Sequence, residues 1–275
     1  ALYSFSTVGQ QNALVSIAYR RPNGNTIINE LYPDGVAPDF TFDSFDYQSV
    51  FGARGDDLAG WGWDLSTSYG VNRQKQSSKN NLNPSLGTAS PTRFDLQTNQ
   101  FTQWTTNLDL NRKFDIGTRN PLNFATGLEY RFEQYRTESG DAASYANGGY
   151  RYPAGHPRAG QLSAIGALGN YLLLPEDEVN LRRSNSAAYV DLGLDVTDKW
   201  FVGAAGRFEH YTDSSGNTWT GKLSTRYAFT PQLAARGALS TGFVAPSMVQ
   251  QGYAKTGLGR RTMGNQTQDI MIKRV

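Results

Sequence analysis

The sequence predicts an all-β fold, an antiparallel transmembrane β-barrel of which the chain supplies about nine or ten strands. Three observations indicate it. Between residues 185 and 247, four consecutive segments alternate apolar and polar side chains with a period of two, as strands with one apolar face do. Long and short links alternate along the chain, so all the long ones project from one end. Strands of roughly ten residues, tilted near 45°, are also long enough to cross the apolar band of a membrane.

The first of the four segments shows the alternation most clearly. Val190 and Leu192 lie on even positions, whereas Asp191 lies between them on an odd one. Tight turns at residues 197–199 and 230–232 connect successive segments. Such short links between neighbouring strands indicate antiparallel hairpins.

The residues before this array follow the same plan. A first strand carries Tyr3, Phe5 and Val15 on odd positions, and a loop rich in Pro, Gly, Asn and Asp follows it. Further strands alternate with two more polar loops, of which the second is the longest in the chain. The predicted strands cover residues 2–20, 47–54, 61–72, 101–114 and 122–135, and the predicted long loops cover residues 21–45, 74–99 and 137–183.

Composition excludes several classes of protein. The 26 basic and 24 acidic residues give a formal charge of +2, so the chain has no nucleic-acid-binding footprint. A mean hydropathy of −0.53, without any apolar run of about 18 residues, excludes a helical membrane protein. The 15 Tyr, 14 Phe and 29 Gly suit a barrel with aromatic belts at the two membrane interfaces, and the absence of cysteine fits passage through an oxidising periplasm. The tryptophans predicted to face lipid in these belts are Trp61, Trp63, Trp104, Trp200 and Trp219.

Charged side chains occupy the polar face of several strands. In a membrane barrel this face lines a wet lumen, whereas in a soluble sandwich it meets bulk solvent, and alternation alone fits both. The long loops favour the barrel, because soluble domains seldom keep loops above about 15 residues unless these are functional. The predicted lumen-facing charges are Glu129, Arg131, Asp191, Asp195, Arg207, Glu209, Lys222, Arg226 and Arg236.

Motifs for catalysis or for a metal are not evident. His156 and His210 are far apart in sequence and no cysteine accompanies them, which argues against a metal site. The glycine-rich stretch 257–264 has the wrong spacing for a phosphate-binding loop and lacks a strand–helix context. We therefore predict no enzyme activity, no catalytic residues, no metal and no cofactor.

Several spaced blocks resemble the β-barrel of TonB-dependent receptors from the Gram-negative outer membrane. They read AAYVDLGLDVTDKWFVGAAGRFEHY, TGKLSTRYAFTPQLAARGALSTGFVAPS, GWGWDLSTSYGVN and ASYANGG, and together they span nearly the whole chain. The resemblance implies a barrel of about 22 strands closed around an N-terminal plug. One position departs from the family pattern, since Val244 stands where the family usually has Arg, and no role of that Arg is carried over.

The resemblance also implies that residues 1–275 are the middle part of a larger receptor. About nine strands, an odd number, do not close alone as an antiparallel up-and-down barrel. We therefore expect the plug domain and the C-terminal strands to lie outside this chain, and the open edges to be paired by the rest of the barrel, since lipid does not tolerate unpaired ones.

The function that follows is import across the outer membrane without covalent change to the solute. The receptor would bind a scarce solute (a ferric siderophore, cobalamin or an oligosaccharide) at its extracellular loops, with outer-membrane lipid and the TonB complex, reached through the absent plug, as partners. The alternatives are a passive porin-type channel and a soluble carbohydrate-binding β-domain. Because Tyr and Arg are enriched at binding surfaces, the candidate ligand contacts in the loops are Tyr32, Phe40, Tyr145, Asn147, Tyr150, Arg151 and Tyr152.

Overall fold

The computed structural model describes residues 1–167, 171–263 and 266–274. Strands account for most of these residues, and the helices are short. No helix in these ranges is both long enough and apolar enough to cross a membrane. The elements, in chain order, are β1 (Leu2–Ser16), β2 (Asp39–Leu58), β3 (Trp61–Lys79), β4 (Arg93–Phe114), β5 (Leu122–Ser139), α1 (Ala142–Tyr145), β6 (Tyr171–Leu172), β7 (Asn180–Thr197), β8 (Trp200–Tyr211), β9 (Asn217–Ala228), β10 (Ala234–Ser240), α2 (Met248–Gly252), β11 (Lys255–Met263) and β12 (Gln266–Arg274).

Nine strands form one open antiparallel sheet in the order β1-β2-β3-β4-β5-β7-β8-β9-β10. Each strand pairs with its neighbours along the sheet, so the chain runs up and down without a crossover. The links between β2 and β3 and between β7 and β8 are two-residue turns, whereas the links at the opposite end include the three longest. The predicted all-β antiparallel arrangement and the predicted number of strands are confirmed.

The strands extend further toward the long loops than the sequence predicts. β2 begins at Asp39 and β3 ends at Lys79, so the pair continues well past the predicted limits at residues 47 and 72. The added part of β3 is polar and lacks the apolar alternation that marks a membrane-crossing strand, yet its backbone groups still pair with β2. In contrast, the first strand ends at Ser16 instead of residue 20.

The register aligns the apolar side chains in rows on one face of the sheet. Leu108, Leu128, Ala188, Phe208 and Trp219 lie opposite one another across five successive strands. Because side chains alternate between faces, the charged residues between them fall on the opposite side. We call these two sides the apolar face and the charged face.

Aromatic residues gather near both ends of the apolar face. Near the short turns, Trp61, Phe114 and Phe124 meet edge to face with ring centroids 5.8–5.9 Å apart, and the Arg112 guanidinium lies 5.2 Å from the Phe114 ring centroid. Toward the long loops, Phe208 packs on Trp219 at 4.6 Å. The five tryptophans predicted to point outward all lie on this face by register.

β1 departs from the apolar-outward pattern. Its odd positions, which carry Tyr3 and Phe5, lie on the charged face, because Tyr3 pairs with Gly52 and Phe5 with Val50. The Tyr3 hydroxyl donates a 2.7 Å hydrogen bond to Asp64 Oδ1. Gly52 leaves room for the phenol ring, since a side chain there would overlap it. This polar partner explains how an aromatic residue is accommodated on the charged face.

The three longest loops pack together at one end of the sheet, and we call this assembly the loop cap (residues 17–38, 80–92 and 140–167). One apolar cluster joins all three loops through Ile27, Ile28, Leu82 and Tyr152. Asn83, fully buried, accepts hydrogen bonds from Ser85 and Gly166 and donates to the carbonyls of Ala143 and Ala146. These bonds tie the second loop to the third.

After β10 the chain leaves the sheet and runs over the charged face, and we call residues 241–254 the crossing segment. Met248 within it is buried, and α2 carries a capping box formed by Ser247 and Gln250. Beyond it, β11 pairs with β12 and with β6 in a separate three-stranded sheet. The sequence predicted no strands in this region.

Candidate functional site

A first group of charges lies near the middle of the charged face. Glu129 on β5 and Glu209 on β8 both pair with Arg207, at 3.3 and 2.9 Å, and Arg131 pairs with Glu129 at 2.5 Å. These four side chains alternate in sign and are partly shielded from solvent. Two of these pairs lie within one strand, and the Glu129–Arg207 pair spans from β5 across β7 to β8, so the group links three successive strands on the charged face.

A second group is centred on Arg183, whose side chain is only 7% exposed. Its guanidinium lies 2.6 Å from Glu133 on β5 and 3.1 Å from Asp213, and it donates a 2.9 Å hydrogen bond to the carbonyl of Pro246. It also lies over the Tyr211 ring, 5.3 Å from the centroid. A buried cation is costly unless it is fully paired, and here three oxygen-bearing groups satisfy it.

Asp213, in the outer turn between β8 and β9, completes this group. Burial alone would raise the pKa of its carboxyl, but hydrogen bonds from Gln251, Ser215 and Arg183 outweigh that effect and lower the pKa to about 2. Gln251 Nε2 lies 2.8 Å from the same carboxylate oxygen that Arg183 contacts. The carboxylate is therefore charged at neutral pH and joins the sheet to the crossing segment.

A cavity of about 600 Å³ lies between these charges and the crossing segment. Arg131, Arg183 and Arg207 line its sheet side, together with Glu133 and Glu209. Phe243 and Val244 of the crossing segment line the opposite side. The cavity is therefore lined by charged side chains of the sheet on one side and by the crossing segment, which is not a strand, on the other.

The other five predicted lumen charges lie on the same face by register but form no ion pair within the part of the chain that the structure describes. Arg226 on β9 lies directly opposite Arg236 on β10. Lys222 lies two residues nearer the loop cap than Ser224, on the same side of β9. The five are Asp191, Asp195, Lys222, Arg226 and Arg236.

The seven candidate ligand contacts fall into two groups. Four are packed inside the loop cap: Tyr32, Tyr150 and Tyr152 belong to the cluster around Ile27, and Tyr145 packs against a second cluster that contains Phe94. Phe40 belongs to this second cluster, but it lies in β2 and not in a loop as predicted, because β2 begins at Asp39. The Tyr152 hydroxyl donates to the carbonyls of Gly24 and Ile27, and its ring stacks on His156 at 4.4 Å. Burial raises the pKa of Tyr32.

Asn147 and Arg151 have exposed side chains on the third loop. Arg151 donates a 2.9 Å hydrogen bond to the carbonyl of Gly160, and Asn147 Oδ1 accepts one from the amide of Gly149. Both residues therefore stay close to the loop backbone and face outward from the packed part of the cap.

Sequence reasoning missed Arg183, Asp213 and Asn83. Arg183 was placed in the long loop because the apolar alternation begins only after it, and its partner Glu133 is 50 residues away. Asn83 precedes a proline and a serine, a helix-capping signal that predicts a turn but not its contacts with a distant loop. The chemistry of these residues becomes visible only when the loops are in place.

Across residues 1–167, 171–263 and 266–274, no group of three or more His, Cys, Asp or Glu side chains is placed to hold a metal ion. The stretch that begins at Gly257 lies in β11, not in a phosphate-binding loop, although Gly264 falls outside the described residues.

Comparison with known proteins identifies the family. The family model described as TonB dependent receptor-like, beta-barrel matches residues 2–270. No curated protein sequence matches. Among solved structures, the crystal structure of the siderophore receptor PirA from Acinetobacter baumannii is similar with a TM-score of 0.49 and 15% identity, covering 98% of this chain and 38% of that one. This chain thus spans well under half of that structure. The family is one of receptors and transporters rather than of enzymes, and from the match over nearly its whole length this chain belongs to the TonB-dependent receptors, as part of their β-barrel.

Proposed function

We propose that the full-length protein is an outer-membrane receptor that binds a scarce solute at its loop cap and imports it into the periplasm with energy supplied through TonB. The observation that supports this best is the asymmetry of the sheet. Three long loops pack into one cap at one end, whereas two-residue turns close hairpins at the other. Outer-membrane barrels place long loops outside the cell and short turns in the periplasm, so the cap would face the medium.

The same arrangement suggests how a solute would be held. Asn147 and Arg151 offer an amide and a guanidinium at the surface of the third loop. Tyr32, Tyr150 and Tyr152 lie behind them and fix the loop on its neighbours. We propose that the exposed pair makes first contact and that the packed aromatic residues keep the loops in one arrangement, which lowers the entropic cost of binding.

The charged face would then line the hydrated interior of the barrel. In this orientation the four charged side chains of the first group face the water-filled interior and form ion pairs with one another. They are Glu129, Arg131, Arg207 and Glu209. The apolar face, with exposed Leu128, Val190 and Leu223, would meet lipid.

Growth experiments test the proposal. A strain lacking the full-length gene is compared with its parent on iron-chelated medium, on medium with cyanocobalamin as the cobalamin source, and on maltodextrin as sole carbon source. We expect slower growth on one of these, reproduced by deleting TonB and reversed by the full-length gene. Uptake that does not depend on TonB would indicate a passive channel instead, and release of the protein into buffer without detergent would indicate a soluble domain.

A further inference from the structure

The crossing segment is attached to the sheet mainly by polar contacts. Two of its fourteen residues, Met248 and Ala254, are buried, so apolar packing anchors it at only two points. At its start, the backbone amide of Thr241 bonds the carbonyl of Gly221, and near its end Gln97 bonds the Tyr253 hydroxyl at 3.2 Å. Between these points the segment depends on contacts with charged groups.

Those contacts converge on two side chains of the sheet. Arg183 donates to the carbonyl of Pro246 at 2.9 Å, and Gln251 donates both to that carbonyl, at 3.2 Å, and to Asp213, at 2.8 Å. Arg183 and Asp213 are themselves paired at 3.1 Å. The three side chains and one carbonyl thus form a closed ring of hydrogen bonds, which we call the latch (Arg183, Asp213, Gln251 and the Pro246 carbonyl).

The latch joins side chains from three separate parts of the chain. Arg183 belongs to β7, Asp213 to the outer turn after β8, and Gln251 to α2. Glu133 on β5 holds Arg183 from the other side, so the guanidinium cannot follow the segment if the segment moves. The side chains of Arg183, Glu133 and Asp213 are all at most 13% exposed, which strengthens these charged contacts relative to contacts in water.

We propose that the crossing segment is a strap that narrows the interior of the barrel and that Arg183 is the positioning residue that holds it closed. The closed strap forms one wall of the 600 Å³ cavity beside Arg131 and Arg207. A strap held by a few polar contacts, with two buried side chains (Met248 and Ala254), can open locally without unfolding the sheet. Release of the latch would open the cavity and widen the interior.

Thiol labelling of the full-length receptor in isolated outer membranes tests this. Met248→Cys places a thiol at the only buried position of the strap between residues 241 and 250, and the 275 residues contain no other cysteine. N-ethylmaleimide reports how often the strap opens. In the otherwise unaltered receptor we expect slow labelling.

Two variants then weaken the latch to different extents. Gln251→Ala removes hydrogen bonds made by an exposed side chain and leaves the buried ion pairs of Arg183 intact, and we expect about tenfold faster labelling. Arg183→Met removes the central cation and is expected to accelerate labelling by about 100-fold or more. Arg119→Met, which breaks the exposed pair with Asp198 at 2.8 Å, is the matched control and should leave the rate unchanged.

Retention of the folded barrel is checked by its migration on unheated gels. If Arg183→Met does not fold, Gln251→Ala decides the matter alone. Equal labelling rates in the folded Gln251→Ala and Arg119→Met receptors would overturn the proposal, and so would fast labelling in the otherwise unaltered receptor. In either case the strap would not be held by the latch.

Discussion

Arg183 Nη2 lies 2.6 Å from Glu133 Oε2, and the two residues face each other directly in the register of β7 with β5. Both side chains are more than nine-tenths buried, whereas the Lys75–Asp95, Arg119–Asp198 and Arg136–Glu138 pairs are largely exposed. Removing one member of a buried pair leaves the other charge without a partner, which costs far more than the pair contributes. The Arg183–Glu133 pair is therefore expected to matter for the stability of the barrel, whereas the exposed pairs are expected to contribute little.

Glu133→Gln is expected to destabilise the folded receptor by about 3–5 kcal/mol, because Arg183 would lose its closest anionic partner. The matched control on the same strand is Glu138→Gln, which breaks an exposed pair with Arg136 and should cost about 0–1 kcal/mol. Denaturant unfolding of the full-length receptor in detergent measures both. Similar unfolding midpoints for the two variants would contradict the role given to the buried pair.

The orientation of the two faces is tested by moving one charge across the sheet. Leu128 is exposed on the apolar face, opposite Leu108, whereas Asn107 lies on the charged face opposite Glu129. Leu128→Arg should lower the free energy of unfolding in a lipid bilayer by about 2–4 kcal/mol, the cost of a cation near the membrane midplane. Asn107→Arg should cost much less, because it enters a wet interior beside a carboxylate. The reverse order would mean that the apolar face does not contact lipid.

Asn83 is expected to control the order of the loop cap. Its side chain is fully buried and bonds the backbone of the third loop at Ala143, Ala146 and Gly166. Asn83→Ala leaves these groups unpaired, at about 1–3 kcal/mol for each buried group that stays unsatisfied. Hydrogen exchange should then accelerate in residues 80–92 and 140–167 but not in β4 or β5. Asn147→Ala, at an exposed position on the third loop, should leave the exchange rates almost unchanged.

The attachment of the crossing segment should depend on pH through Asp213. Its pKa in the folded protein is about 2, below the ordinary value of 3.8, so its charged form contributes stability that is complete above about pH 4. That contribution is lost as the pH falls from about 4 toward 2. Hydrogen exchange in residues 241–252 should therefore be slower in the parent protein than in Asp213→Asn at neutral pH, and the difference should shrink over that interval. A difference that persists unchanged at pH 2 would show that the carboxylate charge does not hold the segment.

The amino-acid sequence by itself determined the sheet and its two faces. A period of two is a local property, so the positions of Val190 and Asp191 on opposite faces follow from their order in the chain. The antiparallel order follows from short turns such as the one between β7 and β8. Spaced sequence blocks also pointed to the receptor family that the comparison then showed.

Only the tertiary structure decided which polar groups meet. Arg183 and Glu133 are 50 residues apart, and the Tyr152 hydroxyl reaches a carbonyl 128 residues away, so neither contact has a local signature. The burial of Tyr152 in the loop cap follows in the same way, since it depends on three loops packing together, and that of Phe40 in β2 depends on Phe94 of β4 and on the third loop. The path of residues 241–254 over the charged face likewise depends on Asp213 and Arg183, whose positions are set by strands that the segment itself does not contain.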